Sequence, residues 1–247
     1  MIPIKSKEEL EKLRGSGKIL AKILKQLEAT VRAGISTEEI DRLAERLVFE
    51  EHALPAFKGY RGFPASICTS INEEIVHGIP GRRRLNPGDI LSIDLGVNYE
   101  GYFCDAAITV GVGDIDADTK RLIAVARQAL YQGIEKARPN NRLYDISHAI
   151  QEHVEKDGFA VVRQFVGHGI GVDLHEEPEI PNFGLPHKGT LLKEGMVLAI
   201  EPMVNMGTWE CEIEKNGWTA ITKDRLFSAH FEHTVAITED GPEILTG

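Results

Sequence analysis

Cysteine is scarce in this sequence: three residues in 247, at Cys68, Cys104 and Cys211, with no Cys-x-x-Cys pair. An odd number of widely spaced cysteines argues against a disulfide framework and against a cysteine zinc site. We therefore expect a reducing compartment, the cytoplasm. The first residues are charged from Lys5 onward and lack the apolar segment of a signal peptide. No apolar run approaches the roughly 20 residues of a membrane helix.

Positive charge is also in short supply, because 28 Lys and Arg stand against 38 Asp and Glu, for a formal charge of −10. This balance argues against a nucleic-acid-binding module, which needs a basic face. A hydrophobic content of 42% with 27% charged residues is ordinary for a globular protein. No linker-like segment divides the chain, so we predict one catalytic domain over residues 1–247.

Two pairs of amphipathic helices are predicted, and each pair is followed by short apolar segments. Ser6 with Glu9, and Ser36 with Glu39, form capping-box patterns that open the first two helices. Helical spacing returns at about residues 117 and 143, and the strand-like segments are 65–71, 90–96, 103–112, 159–166, 196–204, 211–214 and 231–238. This segregated order predicts an α+β fold with two similar halves that meet across one sheet.

Acidic residues lie inside these apolar segments, at Asp94, Asp105, Glu201 and Glu232. An isolated buried carboxylate is too costly to be accidental, so each needs a partner or a metal ion. No Lys or Arg occurs in 89–112 or 194–206, which favours a bound cation. A hairpin turn centred between residues 99 and 100 would place Asp94 directly opposite Asp105, whereas a bulge in the turn would change this register.

One histidine fits the same site. His168 lies between two glycines, in a position that we expect to follow a strand directly. Four carboxylates would balance two divalent ions, and oxygen ligands with one imidazole suit Mn²⁺, Fe²⁺, Co²⁺ or Zn²⁺. Two such ions about 3.5–4 Å apart, bridged by a hydroxide, generate a nucleophile at neutral pH. The pattern therefore predicts metal-assisted hydrolysis.

These residues, in this order, resemble the type I methionine aminopeptidases of the pita-bread fold. The segments that carry the resemblance are 72–80, 93–96, 165–175 and 231–234. The resemblance implies a curved, mainly antiparallel sheet shared by two pseudo-symmetric halves. Glu232 follows Glu201 by 31 positions, without the long insertion of type II enzymes, and we expect no N-terminal zinc-binding extension. A bacterial-type enzyme is implied.

The resemblance also assigns roles to individual residues. Asp105 and Glu232 would bridge both ions, and Glu201 would also transfer a proton. His77 would contact the substrate near the scissile amide, and His175 would stabilise the developing oxyanion. The implied metal ligands are Asp94, Asp105, His168, Glu201 and Glu232. The implied methionine pocket is aromatic and sulfur-tolerant, as suits a thioether, and consists of Tyr60, Phe63, Cys68 and Trp218, with Phe57 and Leu174 nearby.

The implied substrates are N-terminal methionyl peptides and nascent chains with a small second residue. We expect a monomer with no membrane and no sequence-specific nucleic-acid partner. Arg82, Arg83 and Arg84 are interpreted as a solvated loop, with a transient ribosome contact as the alternative. Two other functions stay open: a related peptidase that cleaves before proline, and a non-catalytic pita-bread binding protein.

The chain departs from the family pattern near the predicted ligands. Ala106 stands where threonine is usual, Cys104 where glycine is usual and His230 where glutamine is usual, and Phe57 and Leu174 replace a frequent Cys and Phe. We expect Ala106 to alter the immediate surroundings of Asp105 and so to tune metal affinity and rate. We also expect His233 to support the ligand set from the adjacent position.

Overall fold

The computed structural model describes residues 2–247 and contains four α-helices. Both predicted capping boxes are confirmed: the Ser6 hydroxyl accepts the Glu9 amide at 3.3 Å, the Glu9 carboxylate accepts the Ser6 amide at 2.8 Å, and Ser36 repeats the arrangement with Glu39. The helices are α1 (Lys7–Thr30), α2 (Thr37–Glu50), α3 (Ala117–Ile134) and α4 (Leu143–Lys156).

Fifteen short strands accompany the helices within the described residues, with a 3₁₀ turn at Tyr60–Gly62. The strands are β1 (Leu54–Pro55), β2 (Cys68–Ile71), β3 (Glu74–Val76), β4 (Ile90–Tyr99), β5 (Tyr102–Gly111), β6 (Ala160–Val161), β7 (Gly167–Gly169), β8 (Glu176–Ile180), β9 (Val197–Ile200), β10 (Met203–Asn205), β11 (Cys211–Ile213), β12 (Ala220–Thr222), β13 (Ser228–His230), β14 (Glu232–Thr238) and β15 (Gly241–Ile244).

A nine-stranded antiparallel sheet forms the centre of the molecule, with the path β1-β4-β5-β14-β9-β7-β8 and with β2 and β15 attached to β4 and β14. Two three-stranded sheets, β13-β10-β6 and β11-β12-β3, flank it. The helices bury apolar stripes against these strands: α1 and α2 contribute to one hydrophobic cluster with β4 and β5, and α3 and α4 to a second with β9 and β14. The predicted repeat of helices and strands is confirmed.

Two of the predicted continuous strands are interrupted. The segment 159–166 is paired only at Ala160–Val161, and 196–204 divides into β9 and β10 around Glu201 and Pro202. Proline cannot donate a ladder hydrogen bond, so a central strand ends there. We predicted that His168 directly follows a strand. In the structure it lies within the short strand β7.

The hairpin register was predicted incorrectly by two residues. Tyr99 pairs with Tyr102, so the turn is Glu100-Gly101, and both turn residues have positive φ, 52° and 85°. Such a two-residue turn follows the right-handed twist of the strands, and glycine at its second position carries the strain easily. Asp94 therefore lies opposite Ala107 rather than Asp105. Because the shift is even, both carboxylates still point to the same face.

The packing of α1 on the C-terminal segment gives a stability prediction. A Cβ at Gly17 would overlap the Leu245 carbonyl, whereas a Cβ at Gly15 would meet the Tyr99 ring at an ordinary 3.6 Å. We expect Gly17→Ala to destabilise the protein by about 1–3 kcal/mol. Gly15→Ala, the matched control, should stabilise it by up to about 1 kcal/mol, because alanine has the higher helix propensity. Urea unfolding measures both; equal effects would contradict the packing argument.

None of the helices in the described part of the chain is long and apolar enough to cross a membrane.

Candidate metal centre

Strand register brings the predicted ligands to one face of the central sheet. Glu232 pairs with Ala107 and Ala107 with Asp94, so the two acidic side chains lie in one row across three strands. A second row is formed by His168, Ala199 and Thr234. Paired residues of neighbouring strands project to the same side of a sheet.

The two remaining carboxylates reach the same face through the strand period. Asp105 precedes Ala107 by two residues on β5. Glu201 directly follows β9, two residues after Ala199, and its carboxylate lies 3.6 Å from His168 Nε2. Side chains two positions apart on a strand share a face. All five predicted ligands therefore project to one side, although they come from distant parts of the chain.

The side chains also converge in space. One potential ligand atom from each of Asp105, His168 and Glu232 lies within 4.8 Å of the others, and all three residues are buried. His168 Nδ1 is 2.8 Å from the carbonyl oxygen of Gly169, so this nitrogen carries the hydrogen when it bonds there. The other nitrogen, Nε2, then presents a lone pair and lies 3.6 Å from Glu201 Oε1.

The Thr234 hydroxyl forms two hydrogen bonds with the backbone of Asp105, at the point where β5 and β14 separate. It accepts the Asp105 amide at 2.9 Å and donates to the Asp105 carbonyl at 2.8 Å. These two bonds take the place of backbone hydrogen bonds between β5 and β14, whose pairing ends after Glu232 and His233. The backbone that carries Asp105 is therefore fixed by a side chain of the same strand that carries Glu232.

Burial makes the ionised carboxylates unfavourable. It raises the pKa of Asp105 to about 7, and burial followed by repulsion from Asp105 raises the pKa values of Asp94, Glu201 and Glu232 well above their usual range. Burial lowers the pKa of His168 to about 4, so its imidazole is neutral at pH 7. The cluster contains no positive charge that would stabilise the ionised form of its carboxyl groups.

The donor set fits a divalent cation. Asp94 Oδ1, Asp105 Oδ1 and Glu232 Oε1 are buried without a hydrogen-bond partner. Within residues 2–247, no Lys or Arg forms an ion pair with any of the four carboxylates. Buried polar atoms are normally satisfied, so three orphaned carboxylate oxygens in one cluster indicate a cation-binding site. Several oxygens with one neutral imidazole are the donors that borderline divalent metals accept.

Metal binding is therefore expected to release protons. The folded, metal-free protein holds protons on carboxylates with raised pKa values, and coordination requires them ionised. We expect calorimetric titration with Mn²⁺ at pH 7 to show proton release, measured as a dependence of the apparent enthalpy on the ionisation enthalpy of the buffer. The apparent affinity should fall as the pH is lowered toward 5.5. A buffer-independent enthalpy would contradict this reading of the cluster.

A cavity of about 140 Å³ opens beside the cluster. Phe63 and Trp218 meet edge to face in its wall, with ring centroids 5.2 Å apart. The buried Cys68 pairs with Asp94 across β2 and β4, so a residue of the cavity wall lies directly beside a predicted metal ligand. All the residues of the predicted methionine pocket line this cavity, and so do Phe57 and Leu174.

Two further predicted residues, His77 and His175, line the same cavity. The His175 ring lies between the rings of His168, at 4.2 Å between centroids, and Tyr60, at 5.2 Å. Burial, followed by the neighbouring His168 and Arg61, lowers the pKa of His175 to about 3. A neutral imidazole in this position can donate one hydrogen bond into the cavity. Burial also lowers the pKa of His77.

The structure adds residues that the sequence reasoning missed. Arg61 lines the cavity and lies over the Tyr60 ring, 5.4 Å from its centroid. Phe165 packs edge to face on His77 at 5.4 Å. His230 places Nε2 3.5 Å from Glu201 Oε2. The only signal for His230 was its departure from the family pattern, and nothing in the local sequence pointed to Arg61.

Two expectations about neighbouring residues are wrong. His233 follows Glu232 directly on β14, so it faces the opposite side of the sheet, where its Nδ1 is 2.9 Å from the Thr246 hydroxyl. Ala106 lies on that same face, packed in the cluster that includes α1, with its β-carbon turned away from the acidic cluster. Cys104 shares that face, and its thiol donates to the Leu13 carbonyl at 3.3 Å.

Comparison with known proteins identifies the class. The model of metallopeptidase family M24 matches residues 11–239, and the chain belongs to this family. It is 52% identical over 247 residues to a methionine aminopeptidase of Clostridium acetobutylicum, covering 100% of this chain and 99% of that relative. Within the family the chain thus belongs to the methionine aminopeptidases, which confirms the predicted resemblance.

Solved structures agree with this assignment. A methionine aminopeptidase from Rickettsia prowazekii superimposes with a TM-score of 0.99 at 42% identity, and each chain covers 100% of the other. This match confirms the pita-bread fold. A prolidase from Pyrococcus furiosus matches with a TM-score of 0.81 at 27% identity, and this chain covers 65% of it. The comparison favours the methionine aminopeptidases over the proline-directed peptidases.

Proposed function

We propose that this protein removes the N-terminal methionine from peptides whose second residue is small, with residues 1–247 acting as one catalytic unit. The observation that carries the proposal is the buried group of Asp105, His168 and Glu232, which adjoins an aromatic cavity lined by Asp94 and Glu201. Three of these carboxylates, on Asp94, Asp105 and Glu232, have a buried oxygen without a hydrogen-bond partner. The preference for a small second residue rests on the resemblance to type I enzymes.

The five predicted ligands would hold two divalent ions. Four carboxylates match the charge of two such ions, and Mn²⁺, Fe²⁺, Co²⁺ and Zn²⁺ all accept this donor set. When bound, such ions act as Lewis acids that polarise the scissile carbonyl and lower the pKa of water toward 7. Thr234 fixes the backbone of Asp105, which keeps that ligand in place.

The cavity residues bind and orient the substrate. Tyr60, Phe63, Cys68 and Trp218 provide apolar and aromatic contacts for a thioether, and sulfur–aromatic contacts are favourable by up to roughly 1.5 kcal/mol. The burial that raises the pKa of the Cys68 thiol keeps it protonated, so it serves as pocket wall rather than nucleophile.

Three residues act at the scissile amide. His77 contacts the substrate beside that bond, and the neutral His175 donates a hydrogen bond where negative charge develops on the carbonyl oxygen. Glu201 accepts a proton from the attacking water and delivers it to the departing amine. Its position at the end of β9, with His168 at 3.6 Å and His230 at 3.5 Å, keeps its carboxylate within the cluster.

The proposal extends to location and partners. N-terminal methionyl peptides emerge as nascent chains, so we place the protein in the cytoplasm, as a monomer. Arg82, Arg83 and Arg84 are exposed, as a solvated loop requires, and Arg83 and Arg84 pair with Glu74 at 3.0 Å and Glu39 at 3.5 Å. A transient ribosome contact through the same side chains stays the alternative.

A peptide assay tests the proposed function. Met-Ala-Ser, Leu-Ala-Ser and Met-Pro-Ser are incubated with the protein and added Mn²⁺, Co²⁺ or Fe²⁺, and free amino acids are measured. We expect methionine from Met-Ala-Ser and little leucine from Leu-Ala-Ser. Activity confined to Xaa-Pro peptides would favour the proline-directed alternative. No release with any metal, together with no metal bound at micromolar concentration, would favour the non-catalytic alternative.

A further inference from the structure

A buried ion pair joins the N-terminal segment to the loop that carries His175. Lys5 Nζ lies 2.6 Å from Glu176 Oε2 and 2.8 Å from Oε1, although 171 positions separate the two residues. The exposed fractions of the two side chains are only 3% and 8%. This pair lies outside the predicted metal ligands and outside the cavity lining.

The Glu176 carboxylate also fixes the backbone of the preceding residues. Its Oε1 accepts the amide of Val172 at 2.8 Å and the amide of Asp173 at 3.3 Å. One side chain therefore binds Lys5 and closes the segment Gly171–Glu176, which we call the His175 loop. Leu174 and His175, which line the cavity, lie between the tethered amides and Glu176.

The Lys5 side chain fits closely under this loop. A Cβ at Gly171 would overlap Lys5 Cε and Nζ, so glycine is the residue that allows this approach. The Lys5 amide donates to the Gly195 carbonyl at 2.7 Å, and the Phe103 amide donates to the Gly171 carbonyl at 2.7 Å. The N-terminal segment and β5 thus support the loop from two directions.

We propose that Lys5 is a positioning residue for catalysis, which acts through Glu176 to hold the His175 imidazole over the reacting carbonyl. This inference rests on the proposed function, because it takes the oxyanion role of His175 as given. A buried ion pair contributes little net stability compared with apolar residues. Here it connects the N-terminal segment to the carboxylate that holds the amides of Val172 and Asp173. A small displacement of a catalytic group is enough to cost about 10²-fold in rate.

Lys5→Met tests the proposal because methionine occupies most of the space that the Lys5 side chain fills under Gly171 but carries no charge. We expect kcat for Met-Ala-Ser to fall by about 10²-fold, with KM and Mn²⁺ affinity little changed. Amide hydrogen exchange at Val172 and Asp173 should accelerate. Lys22→Met is the matched control, because it removes an exposed ion pair with Glu51 from α1, and it should change none of these quantities.

A second variant separates positioning from folding. Lys5→Met leaves the Glu176 carboxylate buried without its partner, so the protein should melt at a lower temperature. Lys5→Met with Glu176→Gln removes that charge, and we expect the melting temperature to recover while kcat stays low. Recovery of kcat together with the melting temperature would show that Lys5 serves stability alone and would overturn the proposal.

A third comparison tests whether Lys5 acts through His175. In a His175→Ala background, Lys5→Met should reduce kcat no further; a full additional 10²-fold loss would overturn the proposal. Failure of the proposed function has a different signature, namely no methionine release by the unsubstituted protein. The exchange rates of Val172 and Asp173 still test the ion-pair contact in that case, and unchanged rates in Lys5→Met would overturn it.

Discussion

Asp105→Asn and Glu232→Gln are each expected to abolish methionine release from Met-Ala-Ser and to reduce Mn²⁺ binding. Each substitution removes a negative charge from the centre of the cluster and places an amide nitrogen, which cannot ligate a cation, among the donors. The resemblance to type I enzymes implies that both residues would contact both ions, so either change should weaken binding of both. We expect no activity above that of buffer at saturating peptide.

Thermal melting controls for misfolding in this experiment. Since burial raises the pKa values of both carboxyl groups, their neutral amides should fold at least as stably in the absence of metal. Asp118→Asn is the matched control, because Asp118 lies on α3 with a 79% exposed side chain, and it should leave activity unchanged. Full turnover in Asp105→Asn with Glu232→Gln would mean that the proposed chemistry is wrong.

His175→Ala is expected to lower kcat by about 10²–10³-fold, the usual effect of removing one donor to an oxyanion. The Mn²⁺ affinity should stay close to that of the unsubstituted protein, because His175 is not among the proposed ligands, although its ring lies 4.2 Å from the His168 ring. KM should change less than kcat, since the proposed hydrogen bond strengthens only as charge develops on the carbonyl oxygen.

The pH dependence of kcat gives a second measure of this role. The pKa of His175 is lowered to about 3, so the imidazole is neutral at all pH values above about 4 and contributes no ionisation near pH 6.5. His187→Ala is the control, because the His187 side chain is exposed and does not line the cavity. A kcat for His175→Ala within about twofold of the original value would exclude the oxyanion role.

The sequence was most informative where patterns are local. The capping boxes at Ser6 and Ser36 depend only on residues three positions apart, and the predicted starts of α3 and α4, at about residues 117 and 143, match the structure. The convergence of Asp94 and Asp105 was predicted from an incorrect register. It survived because an error of two residues keeps the faces of both strands.

The alternation of side chains along a strand could have been applied to two more residues, His233 and Ala106. Glu232 faces the acidic cluster, so His233 must face the helices, and the same reasoning places Ala106 opposite to Asp105. The cavity could not be predicted in this way. Phe63 and Trp218 are 155 positions apart, and their contact depends on how β3, β12 and the segment before β2 pack.

The pair Lys5 and Glu176 shows the same limit. Glu176 lies in a charged stretch of sequence, and Lys5 lies between the apolar first residues and the charged start of α1, so no local pattern predicts that the two side chains pair. Only the close passage of its side chain beneath Gly171 removes it from solvent. Long-range polar contacts of this kind follow from the assembled fold, not from periodicity or composition.

Anomalous diffraction from crystals soaked in Mn²⁺ tests the central claim most directly. The account predicts two manganese peaks about 3.5–4 Å apart, with Asp105 and Glu232 between them and with Asp94, His168 and Glu201 completing the ligands. No peak at this cluster, or manganese held by other residues while these carboxylates bind none, would contradict it.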